Sequence, residues 1–463
     1  MANIIGLLDI GRSALLTHQR SIHTTGHNIA NVNTPGYTRQ RVTIAANAPM
    51  DYTPGQMGNG VTATEVQRIY DRYVSDQINA EQHELGRWES QRSAMERVEL
   101  TFDETVGFSL NLAMTEFWNA WQDLSNNPEG HTERVSLISK SDALATAFNQ
   151  MSKDLQQQQR DMDSAIQVAV GEINALAVEI AQLNQKISAV EIGGQNANDL
   201  RDRRDLLVKQ ISEMVDVNAY EDGQGSVTVS VADGRPLVEG PHVWSLATQS
   251  NAAGHLDVAW TDSSGGAADI TAGIRGGRLK GWLEVRDAAI PDYLSRLDAL
   301  AGGIITEVNS LHTGGFDLDA LAGEAFFSGT TAADIGVNPN IQADPNRIAA
   351  ATTAAGVPGD NSNAIAISGL QHAGIMGGGT ATYDDFYRAL VTDVGNQVQT
   401  AAGYAEHQGV MVTSLENYRD SISGVSLDEE MLNLIKFQHA YDAAAKLIST
   451  VDEMIDTVMN MTR

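Results

Sequence analysis

Apolar residues recur at every seventh position near both ends of the chain. Near the N-terminus this repeat consists of Leu8, Leu15, Ile22 and Ile29. Near the C-terminus two such series, three positions apart, occupy the a and d positions of a heptad repeat. The a series is Leu427, Leu434, Tyr441, Ile448 and Ile455, and the d series is Phe437, Ala444, Val451 and Val458. The spacing predicts a helix over about residues 4–29 and a second helix that starts near Ser426, each with one narrow apolar stripe.

The N-terminal helix has an elaborate stop in residues 28–39, NIANVNTPGYTR. Pro35 disfavours helical backbone at Thr34, and Pro35 with Gly36 fits the centre of a type II turn that ends at Tyr37. The chain after the turn reads as extended. Three asparagines are expected to bond nearby backbone groups that the ending helix leaves unpaired: Asn28, Asn31 and Asn33. At the other end of the chain, Ser426 and Glu429 predict a capping box.

The interior alternates between helical periodicity and short β patterns. Helical spacing covers residues 64–103, 132–216, 282–311 and 383–418. Strand patterns separated by Gly, Asp and Ser turns begin near Ser226 and continue to about Gly281, with the segments VTVSV, PLVEG, HVWSLAT and LDVAWT. Residues 313–365 are rich in Gly, Asn, Asp and Pro and predict an irregular segment with short strands.

These patterns predict an α+β protein that is predominantly α. The expected parts are paired coiled-coil helices from the two termini, a long-helix bundle and a smaller β-rich outer domain. Their bounds are 1–60 with 419–463, then 61–220 with 282–418 including an irregular or β segment at 313–370, and 221–281. A lone helix with one apolar stripe is marginal in water. The two ends should therefore pair with each other and with the ends of neighbouring molecules, which indicates polymerisation.

Composition and charge narrow the function classes. The 463 residues carry a formal charge of −29, which disfavours binding to nucleic acids and to anionic membrane surfaces. The absence of cysteine excludes disulfides, thiol catalysis and cysteine-based zinc sites. The apolar start MANIIGLLDIG lacks a basic segment and a cleavage site, so a cleaved signal peptide is not expected.

Residues that could carry chemistry form no convincing site. His23 and His27 have the i, i+4 spacing of a metal pair, but no third ligand follows. FDLDALAGE (316–324) has the acidic residues of a calcium loop with the wrong register, so an acidic surface loop is expected. The run RDRRD (201–205) predicts a salt-bridged helix face. No nucleophile arrangement is present, and neither an enzyme nor a metal or cofactor site is predicted.

The terminal segments resemble signatures of the bacterial flagellar rod, hook and hook-associated proteins. At the N-terminus the matching residues are Asn28, Asn31, Thr34, Gly36, Tyr37 and Arg39. At the C-terminus the resemblance covers SGVSLDEEMLNLIKFQHAYDAAAKLISTVDEMIDT (423–457). The interior segments EFWNAWQDLSNNPEG (116–130), ANDLRDRRDLLVKQISEMV (197–215) and GGRLKGWLEVRDAAIPDYLSRLDALA (276–301) resemble the family of flagellar hook-associated protein 1.

The resemblance implies a structural protein that forms the junction between hook and filament and allows filament assembly. It further implies export through the flagellar type III channel without a cleaved signal, and a location outside the cell. The implied partners are further copies of the chain, hook protein, a second junction protein and, before export, a chaperone at the C-terminal helix. The terminal helices would form the inner tube of the axial structure, with the NTPGY turn leading the chain outward.

Two other interpretations remain open at this stage. A hook or distal-rod protein would share the terminal signatures without the helical interior. A surface adhesin or carbohydrate-binding module would use the β-rich block, where Trp244, Trp260 and Trp282 could offer a stacking surface.

Overall fold

A computed structural model describes residues 2–53, 55–102, 109–223, 225–262 and 264–461. The first part of the chain contains α1 (Ala2–Ala30), β1 (Gln40–Ala46), β2 (Met50–Tyr52), β3 (Gly55–Met57), β4 (Val61–Arg68), α2 (Arg72–Thr101), α3 (Leu110–Asn126), α4 (His131–Glu191) and α5 (Asn198–Met214). The β-rich part contains β5 (Val217–Glu221), β6 (Val227–Val231), β7 (Arg235–Glu239), β8 (His242–Val243), β9 (Ser245–Ser250), β10 (Leu256–Thr261) and β11 (Ala267–Asp269).

Helices return in the last part of the chain. They are α6 (Gly277–Glu284), which continues through a π-helical turn at Val285–Ala289 into α7 (Ile290–Gly314), and later α8 (Pro339–Ala343), α9 (Ser362–Gly369), α10 (Met376–Gly379), α11 (Tyr383–Ser423) and α12 (Leu427–Met461). Two short strands, β12 (Phe327–Ser328) and β13 (Gly336–Val337), lie in the irregular segment. The predicted fold class, predominantly helical with paired terminal helices and a smaller sheet-containing region, is confirmed. Residues 103, 462 and 463, at the ends of two predicted helical segments, lie outside the described residues.

The first interior helix starts later in the structure than the sequence predicts. Residues 64–68 belong to β4, which pairs antiparallel with β1 from Gln40 opposite Arg68 to Ala46 opposite Val61. The helix starts only at Arg72, where the Asp71 carboxylate accepts a hydrogen bond from the backbone N–H of Val74. The prediction of helix for 64–71 is wrong because β1, distant in sequence, supplies backbone partners that local spacing does not reveal.

Two hydrophobic cores lie along the 61-residue helix α4. Its first half packs with α3, α7 and the start of α11 around an aromatic cluster that includes Phe117, Trp121 and Phe326. From Ile166 onward it packs with α5, α6 and the β-rich part. Although α4 is long and apolar enough for a membrane span by length and composition, its buried residues are distributed over its whole length, as expected of a core helix.

The β-rich part forms two antiparallel sheets, with strand orders β5-β6-β7-β8 and β11-β10-β9. The four strand segments predicted from sequence are confirmed, while β5 at Val217 precedes the predicted start near Ser226. Asn184 on α4 fixes the first sheet, because its side-chain amide donates to the backbone oxygens of Val227 and Gly240 at 2.8 and 3.0 Å. The sheets therefore share a core with helices; the division into three domains stays a prediction.

His312, at the end of α7, is fully buried and holds the irregular segment 315–370 against the first core. Its Nδ1 lies 2.5 Å from the Glu324 carbonyl oxygen, and its Nε2 accepts from the Ala349 N–H at 2.9 Å. This arrangement requires the neutral ring with its proton on Nδ1. Burial lowers the pKa of His312 from its ordinary value of 6.5 to about 4.

We expect the stability of the folded chain to fall on mild acidification because of His312. The unfolded chain takes up a proton at this residue near pH 6.5, and the folded chain does so only near pH 4. The contribution of His312 to the free energy of unfolding is therefore fully present above pH 6.5 and is lost towards pH 4. The free energy of unfolding should fall by about 2 kcal/mol between pH 7 and pH 5. Denaturant unfolding at both pH values should show this difference in the wild type and lose it in His312→Gln. An equal pH dependence in both proteins would contradict the assignment.

Candidate assembly site at the paired termini

Helices α1 and α12 pack antiparallel. His18 stacks on Phe437 with ring centroids 6.3 Å apart, and Gly11 is so close to α12 that a Cβ there would lie 2.7 Å from Ile448 Cγ1. Near the end of α1, Asn28 contacts Glu430. Residues later in α1 thus contact residues earlier in α12, as expected of an antiparallel pair. Both chain ends therefore form one structural unit.

The turn after α1 has the predicted geometry. The Tyr37 N–H donates to the Thr34 carbonyl oxygen at 3.2 Å, and Gly36 has a φ of 78°, as the third position of a type II turn requires. Pro35 is exposed at the second position. A Cβ on Gly36 would lie 3.2 Å from Leu206 Cβ on α5, so the turn is also seated against that helix.

Asn28 is 1% exposed and uses both ends of its amide. Its Nδ2 donates to the Gln40 carbonyl oxygen at 2.9 Å and to Glu430 Oε2 at 3.0 Å. Its Oδ1 accepts from the Gln40 N–H at 3.0 Å and from the Tyr37 hydroxyl at 2.7 Å. Asn28 thus ties the end of α1 to the turn, to β1 and to α12, a longer reach than the predicted local bonds.

Glu430 is the partner that the heptad pattern does not reveal. It occupies the first d position of α12 and is 2% exposed, although it is an acid. Besides Asn28 it accepts from Arg39 Nε at 2.7 Å. The neighbouring Glu429 accepts from Arg39 Nη1 at 2.6 Å with its side chain 61% exposed. The Arg39 N–H donates to the Ser423 carbonyl oxygen at 2.8 Å. We call Asn28, Tyr37, Arg39 and Glu430 the terminal network.

The surroundings of Tyr37 favour its neutral form, which can donate a hydrogen bond. Burial raises the pKa of the Tyr37 hydroxyl well above its usual range, and the nearby carboxylates of Asp199, Asp202 and Glu430 raise it further. A neutral phenol can donate to Asn28, whereas a phenolate could not.

The remaining turn residues have local roles or face solvent. Asn31 Nδ2 donates to the His27 carbonyl oxygen at 3.0 Å, as predicted for the end of a helix, and Asn31 Oδ1 accepts from the Thr34 hydroxyl at 3.1 Å. Asn33 is exposed. Of the predicted capping box, the Glu429 N–H lies 3.5 Å from Ser426 Oγ, and the Glu429 carboxylate is engaged by Arg39.

Helix α5 holds the turn and β4 through a row of acids on its first half. Asp202 is 5% exposed and accepts from the Thr38 N–H at 2.9 Å, from the Thr38 hydroxyl at 2.7 Å and from Arg68 at 2.8 Å. Asp205 accepts from Arg68 at 2.7 Å, and Asp199 accepts from Gln40 Nε2 at 2.6 Å. The RDRRD run is a salt-bridged face as predicted. The sequence pattern alone does not connect this run to the turn.

Most heptad positions of α12 lie in the seam, as the pattern predicts. Seven are buried or half-buried: Leu434, Phe437, Tyr441, Ala444, Ile448, Val451 and Ile455. The two outermost, Leu427 and Val458, are 48% and 39% exposed. On α1 the predicted residues Leu8, Leu15, Ile22 and Ile29 are half-buried. The best-buried positions of α1 are small or polar, namely Gly11, Thr17, Ser21, Thr24, Thr25 and Asn28. The role of all these residues in assembly stays a prediction.

The polar face of α1 has a second neighbour. Thr17 Oγ1 and Arg20 Nη1 lie 3.5 and 3.4 Å from the carbonyl oxygens of Val61 and Ala63 at β4. Helix α1 lies between α12 and the β1–β4 ladder. Its side chains therefore donate hydrogen bonds to strand carbonyl oxygens on one side and pack against the apolar seam on the other. This explains why the stripe on α1 is less buried than the sequence pattern indicates.

Large apolar side chains remain exposed on both terminal helices. On α12 they include Met431, Leu432, Ile435, Leu447 and Met454, which are 36–69% exposed. On α1, Ile5 and Leu16 are 59% and 51% exposed. Met431, Leu432 and Ile435 lie within four positions of one another, and an exposed apolar patch typically marks a site of association. Asp452 and Gln438, which flank the seam, are exposed as well.

The residues considered for other chemistry are not brought together. His27 lies 3.3 Å from Asp199, His23 is exposed, and no cluster of three metal-ligating side chains occurs within the part of the chain that the structure describes. Asp317 is buried rather than on the surface, and it accepts from the N–H groups of Asp319 and Leu321. The indole of Trp260 donates to the Pro236 carbonyl oxygen, whereas Trp282 packs between the two cores.

Comparison with known proteins gives consistent matches along the chain. The profile of the flagellar hook-associated protein FlgK helical domain matches residues 95–327. Profiles of the flagella basal body rod protein and of the flagellar basal body rod FlgEFG protein C-terminal region match residues 8–38 and 419–461. The profiles of the terminal regions thus cover Asn28, Tyr37 and Glu430 of the terminal network, with Arg39 one residue beyond the first match, and that of the helical domain covers most of the two cores.

Full-length relatives extend the match. The chain is 30% identical over 493 residues to flagellar hook-associated protein 1 of Bacillus subtilis, covering 98% of this chain and 97% of the relative. It is 28% identical to flagellar hook-associated protein 1 of Escherichia coli, covering 98% and 99%. The fold is similar to that of the flagellar hook junction protein FlgK from Burkholderia pseudomallei, with a TM-score of 0.68, 15% identity and coverage of 75% of this chain and 100% of that one.

Proposed function

The chain belongs to the flagellar hook-associated protein 1 family, and from this premise we propose how it serves as a structural protein of the hook–filament junction. The observation that carries the proposal is the buried carboxylate of Glu430, which accepts from Asn28 and Arg39, residues about 400 positions away in sequence. This network makes α1 and α12 one antiparallel unit. The exposed apolar side chains of that unit are then covered by neighbouring copies in the axial assembly.

The acidic row of α5 connects this unit to the rest of the protein. Asp202 binds Thr38 and Arg68, so the turn and β4 are held to the helix that also packs in the second core. The terminal helices would line the inner tube, with the bundle and the β-rich part placed outside it. Hook protein on one side and a second junction protein on the other are the proposed partners.

We infer that the chain reaches this place outside the cell in an unfolded state, through the flagellar type III route and without cleavage of a signal peptide. The absence of cysteine from the sequence is compatible with such export. Before export, the apolar side chains of α12 would need protection by a chaperone. Met431 and Leu432 on α12 are 53% and 69% exposed even when α1 is paired with it, which supports that need.

The role needs no catalysis or cofactor. The named relatives are hook-associated proteins, and the network that joins the termini consists of hydrogen bonds and ion pairs without a nucleophile arrangement. The charge of −29 further disfavours nucleic acids and anionic membrane surfaces as partners.

Deletion of the gene in its host tests the function directly. We expect electron microscopy to show bare hooks, with flagellin released into the medium, because hook assembly precedes this protein and filament growth requires it. The wild-type gene supplied on a plasmid should restore filaments. Missing hooks would assign the chain to the hook or distal-rod proteins instead, and intact filaments would contradict a junction role altogether.

A further inference from the structure

One exposed helix face outside the terminal unit is almost free of charge. The α11 face consists of Tyr404, Met411 and Tyr418, which are 52%, 40% and 56% exposed, and Val410 beside it is 65% exposed. The surrounding 23 residues, 396–418, contain two charged residues, whereas the 23 residues 72–94 of the neighbouring helix α2 contain seven. One of the two, Glu416, is paired with Lys209. Charged residues are therefore sparser along this stretch than along the helix beside it, and the next two residues, Arg419 and Asp420, are paired with each other.

The aromatic residue at the centre of this stretch is held in place. The ring of Tyr404 stacks on Trp88 of α2 with centroids 4.5 Å apart. The Arg87 guanidinium lies 4.8 Å above the Trp88 ring and donates to both carboxylate oxygens of Glu284, at 2.7 and 3.0 Å. Tyr404 is thus half-exposed but ordered before any partner arrives. Ordered aromatic side chains lose little entropy on binding and often dominate the energy of an interface.

The composition of the α11 face is that of an interface centre. Tyrosine and methionine are enriched and charged residues depleted where protein partners meet. Tyr404, Met411 and Tyr418 are seven residues apart, so they form one line along the helix, about 20 Å long.

We propose that the α11 face is a contact between copies of this chain. Copies that each carry a charge of −29 repel one another, so a lateral contact requires a surface without excess acid. The α11 face is also close along the chain to the surface proposed for assembly. Only residues 424–426 separate α11 from α12, and a copy that covers Met431 and Ile435 on α12 would extend onto the adjoining end of α11. The inference rests on the proposed function and adds a second contact to it.

Site-specific photo-crosslinking tests the contact in assembled flagella. The full chain would carry a photoreactive amino acid at position 411, at Ile435 of α12, or at the exposed Ser93 on α2 as a control. We expect position 411 to give a product containing two copies of this chain, identified by mass spectrometry, and position 93 to give none. A homotypic product from position 435 but not from 411, or crosslinks from 411 only to other proteins, would overturn the inference.

Charge variants provide an independent measurement. The double variant Met411→Glu/Tyr418→Glu introduces acids into the proposed contact on each of the two copies. The control variant Ser93→Glu adds an acid outside that contact. Circular dichroism first checks that the variants keep the helical content of wild type. The double variant should then release about tenfold more flagellin than wild type. The Ser93→Glu variant should release as much as wild type. If the deletion strain has bare hooks but the double variant behaves like wild type, this contact is rejected and the proposed function stands. Intact filaments in the deletion strain would reject the proposed function instead.

Discussion

Glu430→Ala should abolish stable filament attachment, because it weakens the pairing of the two terminal helices by about 3 kcal/mol. The substitution removes the acceptor of both Asn28 Nδ2 and Arg39 Nε. Asn28 is 1% exposed, so its freed amide donor cannot be solvated without opening the helix pair. The measurement is complementation of the deletion strain, with flagellin in the medium and filaments per hook as readouts.

Glu429→Ala is the matched control for that experiment. Glu429 contacts the same arginine, but its side chain is 61% exposed, compared with 3% for Glu430. Exposed ion pairs contribute less than about 1 kcal/mol, so Glu429→Ala should retain most filaments. Glu430→Gln should lie between the two, since an amide keeps an acceptor for Asn28 without the negative charge. Equal defects in the two alanine variants would show that burial of Glu430 is not what holds the termini together.

The seam of α12 could be predicted because it depends on a local repeat. The residues at heptad spacing from Leu434 to Ile455 can be buried by any apolar surface. The spacing therefore identifies them even when the surface that covers them is unknown. The repeat fails at Glu430. An acid at a d position indicates solvent exposure unless a buried donor is known to face it, and the donors belong to residues 28 and 39.

The asparagines show the same limit. Asn31 binds the preceding turn of its own helix, as a local rule predicts. Asn28 has the same side chain and lies only three residues earlier, yet it binds β1 and α12. The difference lies in which side of α1 is covered by β1 and α12. The strand β1 pairs with β4, which the helical interpretation of residues 64–71 does not predict.

The contacts with α5 could not have been found from the RDRRD run alone. Alternating charges predict ion pairs on a helix surface, and those pairs are present. Which acid faces a distant backbone depends on packing. Asp202 is buried against Thr38 and Arg68, whereas Arg203, the next residue, pairs with Glu179 on α4. The turn and the charged run are 164 residues apart, and only the fold brings them together.

Gly36→Val should impair incorporation into the flagellum while leaving the two cores folded. The φ of 78° at Gly36 is a genuine outlier for a β-branched residue, and adopting it costs about 2 kcal/mol. A Cβ would also lie 3.2 Å from Leu206 Cβ, so the turn would have to move away from α5. That movement would displace Thr38 from Asp202 and Tyr37 from Asn28, and would loosen both connections of the terminal unit at once.

Gly26→Val makes the same change ten residues earlier in the chain, where the structure offers it room. Gly26 lies within α1 and is exposed, with no atom within 4 Å of a Cβ placed there. Valine suits a helix slightly better than glycine does, so this variant should assemble like wild type. Thermal unfolding of the central cores should be the same for both variants, because neither core contains these positions. Normal incorporation of Gly36→Val, or an equal defect in Gly26→Val, would mean that the turn does not set the path from the terminal helices to the body of the protein.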